Sequence, residues 1–240
     1  MNPNEHGKRV SGLFDNIAGW YDFLNHFLSA GLDLYWRRRL VRTVRPGPTG
    51  TVLDLAAGTL DVSREILRQH PQSRVLAMDF SRAMLCQGKK KIPRQPAIMP
   101  AQADGRSLPL PDACVDTVTI AFGIRNILPR ADAYREILRV LAPQGRLCIL
   151  EFGTGQARIW QGLYNFYLGT VLPRIGRFFS RNPAAYQYLA DTIRAFPDAR
   201  TLAGELRDAG FESVSYQALS SGIVYIHVGQ KRHPGQDARS

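Results

Sequence analysis

Cysteines and acidic side chains are both scarce in this sequence of 240 residues. Its three cysteines, Cys86, Cys114 and Cys148, are far apart and lack the spacing of metal ligands, which argues against a disulfide scaffold and a zinc site. No apolar run approaches the roughly 18 residues that a membrane-spanning helix needs, and residues 1–11 are polar, unlike a signal peptide. We therefore expect a soluble cytoplasmic protein without a metal ion.

The shortage of acids leaves a basic chain, since 31 Lys and Arg face 20 Asp and Glu and the net charge is +11. Basic clusters bind nucleic acid or an anionic membrane surface, where each basic residue contributes about 1 kcal/mol. Solvated helix faces have the same composition, so charge alone does not choose between these partners. Three clusters stand out: Arg37, Arg38, Arg39, Arg42 and Arg45; Lys89, Lys90, Lys91 and Arg94; and Arg174, Arg177 and Arg181.

Hydrophobic periodicity changes along the chain. Apolar residues at helical spacing predict amphipathic helices over 12–29 and 33–45. From 51 to 150, short β-type runs alternate with helical ones, which indicates right-handed βαβ units and a parallel sheet. The predicted strands are 51–55, 74–78, 97–101, 115–121 and 146–150, and the helices between them are 61–69, 81–91 and 132–141.

The last third of the chain departs from this alternation. Helices are predicted over 157–180, 184–195 and 201–209, and strands over 211–217 and 223–228. The connection between the two strands is too short for a crossover, so they should pair antiparallel. A doubly wound sheet that closes with such a hairpin is the class I methyltransferase arrangement. We predict one Rossmann-like domain over 1–240, with a mixed seven-stranded sheet and added helices before it and over 157–195.

Small and acidic residues gather where the first two predicted strands end. Ligands of doubly wound sheets bind outside the carboxyl ends of the strands. The first strand carries Asp54 and runs into a turn with Gly58 and Thr59, whose small size lets a ligand approach the backbone. Asp79 ends the second strand, where a carboxylate accepts hydrogen bonds from two ribose hydroxyls.

The next two strand ends carry a related set. Asp104 and Gly105 follow the third strand, where an acid accepts a hydrogen bond from an adenine amino group. Ala121 and Phe122 end the fourth strand, beneath the place where a reacting group would lie. Acids at three successive strand ends predict a nucleotide-like ligand along this edge.

Two cofactors compete for such an edge. A dinucleotide needs a Gly-x-Gly-x-x-Gly helix start for its pyrophosphate, whereas residues 56–61 contain one glycine and end in Asp61, which would repel phosphate. S-adenosylmethionine carries no phosphate, and its positive sulfonium suits an acidic pocket. We therefore predict S-adenosylmethionine. The alternative is that Asp54 and Asp79 only cap the strand ends.

Several different short motifs are spread along nearly the whole chain. They are Phe14-Asp15-x-Ile17-Ala18-x-x-Tyr21-Asp22 with Trp36, Ala121 through Asn126, Arg139 through Glu151, Tyr186-x-Tyr188-Leu189 with Phe196-Pro197, and Ala209-Gly210-Phe211 with Gly222 through His227. Together they resemble the signatures of the ubiquinone/menaquinone biosynthesis C-methyltransferase family, from residue 12 to residue 231. Leu60 stands where this family has glycine, and a leucine there is expected to narrow the turn.

The resemblance implies methylation of a ring carbon on a polyprenylated quinol. Demethylmenaquinol is the expected substrate, and a 2-methoxy-6-polyprenyl-1,4-benzoquinol is the alternative. A quinol hydroxyl, with a pKa near ~10 like that of tyrosine, must lose its proton before the ring carbon can attack. Arg125 is the candidate that stabilises the developing oxyanion or orients a water that removes the proton, with Asn126 positioning the ring. A structural ion pair is the alternative role for Arg125.

The substrate side is expected to include further residues from the start of the chain. Tyr21, Asp22 and Asn25 lie on or beside one face of the first predicted helix, and with Phe122 they are candidates for binding the substrate. A prenyl tail gains about 0.8 kcal/mol per buried CH₂ and partitions into the bilayer. We expect an N-terminal helical lid over 12–45 and a helical insertion over 156–197 to cover the site and touch the membrane surface. The alternative is that their aromatic residues form a homodimer interface or close the domain's core.

Two other classes of function compete with this interpretation. An RNA or protein methyltransferase would suit the net charge, but the fourth strand ends in Ala-Phe-Gly-Ile-Arg-Asn, not in the Asn/Asp-Pro-Pro-aromatic motif of enzymes that methylate exocyclic amines. A non-enzymatic lipid-surface binding protein with a degenerate cofactor pocket is favoured only by Leu60. We expect no nucleic-acid partner.

Overall fold

The computed structural model describes residues 7, 12, 15, 26, 29, 31–153, 188 and 191–232. The helices are α1 (Leu32–Val41), α2 (Asp61–Gln69), α3 (Arg82–Lys90), α4 (Arg130–Val140) and α5 (Ala199–Asp208), with 3₁₀ turns at Ile124–Asn126 and Ser220–Gly222. The strands are β1 (Thr51–Leu55), β2 (Arg74–Asp79), β3 (Ile98–Gln102), β4 (Val115–Ala121), β5 (Leu141–Phe152), β6 (Phe211–Leu219) and β7 (Val224–Lys231). All of the predicted helix over 157–180, most of the one over 12–29 and half of the one over 184–195 lie outside the described residues.

The strands of this described part form one seven-stranded sheet in the order β3-β2-β1-β4-β5-β7-β6. The five strands from β3 to β5 are parallel, and β7 is antiparallel to both β5 and β6. This confirms the predicted mixed sheet with its antiparallel closing hairpin. The chain leaves β1 toward β2 and β3 and then returns to β4, so a topological switch point lies between β1 and β4.

Residue types follow the position of each strand in the sheet. All five residues of β1, Thr-Val-Leu-Asp-Leu, are buried, as expected for a central parallel strand covered on both faces. Pro100 lies in β3 at one edge of the sheet, where the missing N–H breaks no ladder. At the opposite edge most residues of β6 are at least partly exposed.

Apolar residues pack on both faces of the sheet. On one face Trp36 and Leu40 of α1 pack in a cluster with Ile66 of α2 and Leu85 of α3. On the other face Tyr134 and Ile137 of α4 lie with Leu202 and Leu206 of α5. Val52 and Leu53, neighbours in β1, belong to opposite clusters, since successive side chains of a strand point to opposite faces. None of the helices described is long and apolar enough to span a bilayer.

One strand differs clearly from its predicted bounds. β5 begins at Leu141 and not at residue 146, because Leu141 pairs with Val115 before the turn residues Pro143 to Gly145. The register then shifts between Val115 and Thr117. The skipped residue, Asp116, uses its carboxylate to accept hydrogen bonds from the loop before β1. Pro143 and Gly145 predict a turn between the helix and the strand. Pairing with β4 nevertheless extends β5 back to Leu141.

Candidate active site

The turn after β1 has a strained backbone. Ala56, Gly58 and Leu60 have φ angles of 56°, 53° and 67°, a region that costs a non-glycine residue roughly 1–2 kcal/mol. The amide of Ala57 donates to the carbonyl oxygen of Met78 at 3.0 Å, which ties the turn to the end of β2. The turn therefore presents its backbone where the carboxyl ends of β1 and β2 meet.

The leucine that replaces the family's glycine does not narrow this turn, which corrects the expectation above. Leu60 is fully buried in the core. A Cβ built on Gly88 of α3 would lie 2.5 Å from Leu60 Cγ, so the leucine occupies space that the missing side chain of Gly88 leaves free. The larger residue points into the helix layer and away from the ligand side.

Asp79 is held at the end of β2 by backbone amides. Its Oδ2 accepts from Gly58 N at 2.8 Å, and its Oδ1 accepts from Ser81 N at 2.7 Å. Burial raises the pKa of Asp79 and nearby Asp15 adds to the rise, while the amides of Ser81 and Gly58 oppose it. Each carboxylate oxygen keeps acceptor capacity, and the residue is half-buried, so two hydroxyl donors can still be accommodated.

Residue 15 of the predicted N-terminal lid contacts this region. Ser81 Oγ donates to Asp15 Oδ1 at 2.5 Å and accepts from Met84 N at 3.1 Å as the N-cap of α3. The cap explains why α3 begins directly after Asp79. It also places a residue of the first sequence motif beside the carboxylate predicted to bind the cofactor.

Asp54 is sealed inside the fold. Its carboxylate accepts from Ser63 Oγ of α2 at 2.6 Å and from Thr119 Oγ1 of β4 at 3.0 Å. Only 1% of the residue is exposed, and burial raises its pKa to about 7 despite both hydroxyl donors. In this structure Asp54 joins β1 to α2 and β4 behind the ligand edge, and its direct contact with a cofactor stays a prediction.

Asp104 forms a fork-shaped ion pair with a close neighbour. Arg106 Nη2 donates to Asp104 Oδ2 at 2.6 Å, and Arg106 Nε donates to Oδ1 at 3.0 Å. These bonds lower the pKa of Asp104 and keep it ionised, although burial opposes this. A Cβ on Gly105 would lie 3.1 Å from Ile127 Cδ1, so glycine lets this loop pack closely on the loop after β4.

Backbone contact also fixes the end of β4. Phe122 has a φ of 56°, and its amide donates to the carbonyl of Leu150 at 2.8 Å. A Cβ on Gly123 would lie 2.5 Å from Ala56 Cβ, so only glycine fits where this loop crosses the turn after β1. Ala121, the last residue of β4, is half-buried beside them. The structure thus brings the predicted residues of the first and fourth strand ends together.

Aromatic rings surround Phe122. Its ring centroid lies 4.7 Å from that of Phe152 at the end of β5 and 6.2 Å from that of Trp36 in α1. The guanidinium of Arg37 lies 6.0 Å from the centroid of Phe122. Phe122 is itself buried and packs between α1 and the sheet. It therefore forms the aromatic floor of the candidate site at the ends of β4 and β5.

The structure gives Arg125 the ion pair considered as its alternative role. Its Nη1 donates to Glu151 Oε1 at 2.6 Å and to the carbonyl oxygen of Phe122 at 2.7 Å. Arg125 is 6% exposed and Glu151 is 1% exposed, so both charges lie inside the protein. Arg125 Nε is buried, and no residue in the described ranges accepts a hydrogen bond from it. An orphaned buried donor costs about 1–3 kcal/mol, which favours a ligand oxygen as its partner.

Asn126 connects the end of β4 to the predicted helical insertion. Tyr188 Oη donates to Asn126 Oδ1 at 3.1 Å, and Asn126 is half-buried. Both residues belong to motifs that carry the family resemblance. The contact places one residue of the 156–197 segment directly against a predicted site residue.

The other candidate residues divide by whether the structure describes them. Thr59 is buried within the turn after β1. Tyr21, Asp22 and Asn25 lie outside the described residues. Their predicted contact with substrate therefore stays a prediction.

Two charged groups were missed in the sequence analysis. Glu151 is the last residue of one family motif, and an acid in the apolar run Leu-Cys-Ile-Leu-Glu-Phe signals a buried partner. Asp33 of α1 pairs with Arg37, accepts from Ser29 Oγ at 2.8 Å and lies 2.7 Å from His26 Nδ1. Although burial opposes it, Arg37, Ser29 and His26 hold the pKa of Asp33 below its usual value. The spacing of Asp33 and Arg37, one helical turn, was the available signal.

Fold and site together define a class of protein. A seven-stranded sheet of this order, with a carboxylate at the end of β2 and a close glycine turn after β1, is that of an S-adenosylmethionine-dependent methyltransferase of class I. A solved S-adenosylmethionine-dependent methyltransferase from Thermotoga maritima superposes with a TM-score of 0.67 at 14% identity, covering 93% of this chain and 100% of the other. This similarity confirms the predicted fold.

The sequence itself places the protein more closely. Residues 2–231 match the ubiE/COQ5 methyltransferase family, and this chain belongs to that family. It therefore uses S-adenosylmethionine to methylate a carbon atom in quinone biosynthesis. The resemblance, the enzyme class and the cofactor predicted from the sequence are thereby confirmed. Membership of this family favours a quinone C-methyltransferase over an RNA or protein methyltransferase and over a non-enzymatic binding protein.

Relatives with established names cover nearly the same length. The chain is 42% identical over 231 residues to the ubiquinone/menaquinone biosynthesis C-methyltransferase UbiE of Geobacter sulfurreducens, covering 95% of this chain and 90% of that protein. It is 40% identical over 225 residues to the demethylmenaquinone methyltransferase of Mycobacterium marinum, covering 94% of each.

Proposed function

We propose that this protein methylates a ring carbon of demethylmenaquinol, with Arg125 stabilising the quinol oxygen from which a proton is lost. The buried Arg125 guanidinium carries this proposal, because its Nε has no acceptor among the described residues and it lies beside the aromatic floor formed by Phe122 and Phe152. Relatives named demethylmenaquinone methyltransferase support the substrate.

The residues at the β1–β2 edge fit the adenosyl cofactor. Asp79 keeps acceptor capacity for the ribose hydroxyls, the turn at Gly58 and Thr59 offers backbone at close range, and Asp104 with Gly105 is proposed to meet the adenine. Asp61 begins α2, so the helix N-terminus is unsuited to a pyrophosphate. S-adenosylmethionine supplies an electrophilic methyl group, and Ala121 is proposed to lie under it.

The acceptor must become an oxyanion for its ring carbon to attack. A guanidinium is always charged and is a poor base, so Arg125 is proposed to donate hydrogen bonds to the quinol oxygen and to lower the free energy of the phenolate. The hydroxyl proton leaves to water that the same guanidinium orients. Once the ring carbon has taken the methyl group, the hydrogen on that carbon is lost and the oxygen regains a proton, so the products would be the methylated quinol, S-adenosylhomocysteine and one proton. Asn126, held by Tyr188, is proposed to position the ring so that the two reacting carbons align.

The benzoquinol of ubiquinone biosynthesis is the second candidate substrate. Relatives named for both the ubiquinone and the menaquinone route support it. Both substrates share a phenolic hydroxyl next to an unmethylated ring carbon, so the roles of Arg125 and Asn126 are the same for either.

The decisive experiment supplies labelled S-adenosylmethionine and each reduced quinol in detergent micelles, and follows methyl incorporation by mass spectrometry. We expect methylation of demethylmenaquinol and slower methylation of the benzoquinol, and no product from either oxidised quinone. Preference for the benzoquinol would replace the proposed substrate. Failure with both quinols, in enzyme that binds S-adenosylmethionine by calorimetry, would refute the proposed function.

We also propose that the enzyme reaches its prenylated substrate at a membrane surface through one face of α1. This α1 outer face consists of exposed Leu32, Leu34, Tyr35, Arg38 and Arg42. Its apolar residues lie at the N-terminal end of the helix and its arginines follow within about 15 Å. Leucine and tyrosine suit the acyl boundary and arginine suits anionic headgroups.

The position of α1 supports this docking. Trp36, on the buried face of α1, packs against Phe122 at the ligand edge, so α1 lies over the end of β4 and its outer face is turned to solvent. Co-sedimentation with phosphatidylglycerol vesicles at low salt should retain the protein, and Leu32→Ser with Leu34→Ser should release it. Met99→Ser, at an exposed site on edge strand β3, is the matched control. Loss of a dimer in the double variant, without change in vesicle binding, would assign the face to a homodimer instead.

A further inference from the structure

We propose that Glu151 is a positioning residue, which holds the Arg125 guanidinium in the orientation that the reaction needs. This inference rests on the proposed function, because it assigns Glu151 a role only through the oxyanion contact of Arg125. Neither the family resemblance nor the names of the relatives gives Glu151 a part in the chemistry.

The geometry around Glu151 fixes one edge of the guanidinium. Within the described residues, the Arg125 side chain donates two hydrogen bonds, and both start from Nη1. One goes to Glu151 Oε1 at 2.6 Å and one to the carbonyl of Phe122 at 2.7 Å. The amide of Arg125 also lies 3.5 Å from Glu151 Oε2. One carboxylate thus holds both the side chain and the backbone of Arg125, and the Nε–H takes no part in these bonds.

Glu151 itself sits on a rigid support. It lies near the end of β5, where it pairs in register with Tyr225 of β7, and its Oε1 also accepts from the amide of Phe152 at 3.0 Å. Arg125 lies on a short 3₁₀ turn after β4. Because a strand in mid-sheet is held by hydrogen bonds on both sides, the carboxylate is the fixed partner and the arginine is the one it positions.

Burial makes the pair obligatory for Arg125. The side chains of Arg125 and Glu151 are 4% and 1% exposed, and a buried charge without its partner is strongly destabilised. Five residues along the chain, Arg130 pairs with Glu205 through two bonds of 2.7 and 2.5 Å. That second pair links α4 to α5 in a partly exposed position, so it provides the same chemistry away from the site.

The geometry of the pair explains why Arg125 Nε has no acceptor among the described residues. With Nη1 engaged twice, the guanidinium cannot rotate to satisfy Nε without losing the bonds to Glu151 and Phe122. The Nε–H is therefore reserved for an oxygen that arrives with the substrate. A displacement of about 1 Å at such a group can cost on the order of 100-fold in rate, so the length of residue 151 should matter as well as its charge.

Glu151→Asp tests this role, because it keeps the charge and shortens the side chain by one methylene. With demethylmenaquinol we expect kcat to fall roughly 10- to 100-fold. The Kd of S-adenosylmethionine and the midpoint of thermal unfolding should stay close to the wild-type values. Glu205→Asp, the matched control, should change kcat by less than about twofold because its pair lies away from the site.

A double-variant cycle separates positioning from folding. In the Arg125→Ala background Glu151→Asp should change kcat by less than about threefold, since the group that it positions is gone. The neutral double variant Arg125→Ala with Glu151→Gln, which buries no charge, should have the kcat of Arg125→Ala alone. An unchanged kcat for Glu151→Asp, or the same loss in both backgrounds, would overturn the proposal. Wild-type enzyme that methylates neither quinol would instead refute the proposed function, and this inference with it.

Discussion

The ligand edge of the sheet carries opposite charges at its two sides. On the donor side, formed by the ends of β1 and β2, the half-buried charged group is the Asp79 carboxylate. On the acceptor side, formed by the ends of β4 and β5, the charged group is the buried Arg125 guanidinium, which Glu151 holds. A sulfonium donor is positive and a reacting quinol oxygen becomes negative, so each side carries the charge opposite to that of its proposed ligand.

The two sides also hold their charged group by different means. Backbone amides of Gly58 and Ser81 hold Asp79, whereas the side chain of Glu151 holds Arg125. A backbone clamp depends on the conformation of a turn and so on the packing beneath it. A side-chain clamp depends on one residue. The two sides should therefore respond separately to substitution.

The largest separate effect is expected on the acceptor side. Arg125→Ala should lower kcat by about 10²- to 10³-fold, the usual loss when one donor to a developing oxyanion is removed. Because Arg125→Ala leaves the buried Glu151 carboxylate without its partner, the double variant Arg125→Ala with Glu151→Gln is measured beside it. Calorimetry should show S-adenosylmethionine binding within about threefold of wild type in both, since the donor side is untouched. Arg130→Ala serves as the control. Unchanged turnover in Arg125→Ala would remove this residue from the mechanism.

The complementary substitution on the donor side should affect binding. Asp79→Ala removes charge-assisted hydrogen bonds of about 1.5–3 kcal/mol, so the Kd of S-adenosylmethionine should rise roughly 10- to 100-fold. At saturating cofactor, the KM for quinol should be nearly unchanged. Asp79→Asn keeps an acceptor oxygen for only one of the two amides, that of Gly58 or that of Ser81, and turns an NH₂ group toward the other. It therefore separates loss of the charge from loss of the whole side chain. Tight cofactor binding by both variants would contradict the donor-side assignment.

Asp54 and Asp79 both lie on the donor side, and the pH dependence of stability should distinguish the buried Asp54 from the half-buried Asp79. Burial raises the pKa of Asp54 from 3.8 to about 7. Its contribution to stability is therefore fully present below the unfolded pKa and is lost as the pH rises through about 7. Asp54→Asn should gain stability relative to wild type between pH 5 and pH 8, on the order of 2 kcal/mol. Thermal unfolding at several pH values measures this gain.

The same variant tests whether Asp54 contacts the cofactor. Because its carboxylate is sealed behind the edge, we expect Asp54→Asn to change the Kd of S-adenosylmethionine by less than about threefold. A rise in Kd as large as that expected for Asp79→Ala would show that Asp54 contacts the cofactor directly. An equal shift of stability at every pH would contradict the buried titration.

The smallest effect concerns the packing beneath the donor-side turn. Gly88→Ala gains about 1 kcal/mol in helix propensity but places Cβ 2.5 Å from Leu60 Cγ, and overpacking costs about 1–3 kcal/mol. Chemical denaturation should show a net loss of about 1 kcal/mol. In a Leu60→Ala background the loss should become smaller but not vanish, because the added Cβ would still lie 2.9 Å from the carbonyl carbon of Thr59. Gly204→Ala, in α5 with open space around it, is the control and should stabilise the protein in both backgrounds.

Much of the donor side was predictable from the chain alone. Asp79, Gly58 and Asp104 follow directly after β-type runs, and in a parallel sheet the ends of neighbouring strands must meet. The antiparallel hairpin was likewise predictable, because its short connection permits no other pairing. These features depend on local patterns and on chain connectivity, both of which are written in the order of residues.

The acceptor side depended on contacts between distant residues. Arg125 and Glu151 are 26 positions apart, and only the pairing of β4 with β5 brings them together. The same holds for Leu60. Its position in the chain predicts a narrower turn, whereas in the fold its side chain packs against Gly88. Residue order thus determined the fold, the cofactor edge and the enzyme family. Which carboxylates are sealed, which remain open and which partner holds the arginine were decided by tertiary packing, because burial and ion pairing are properties of neighbours in space.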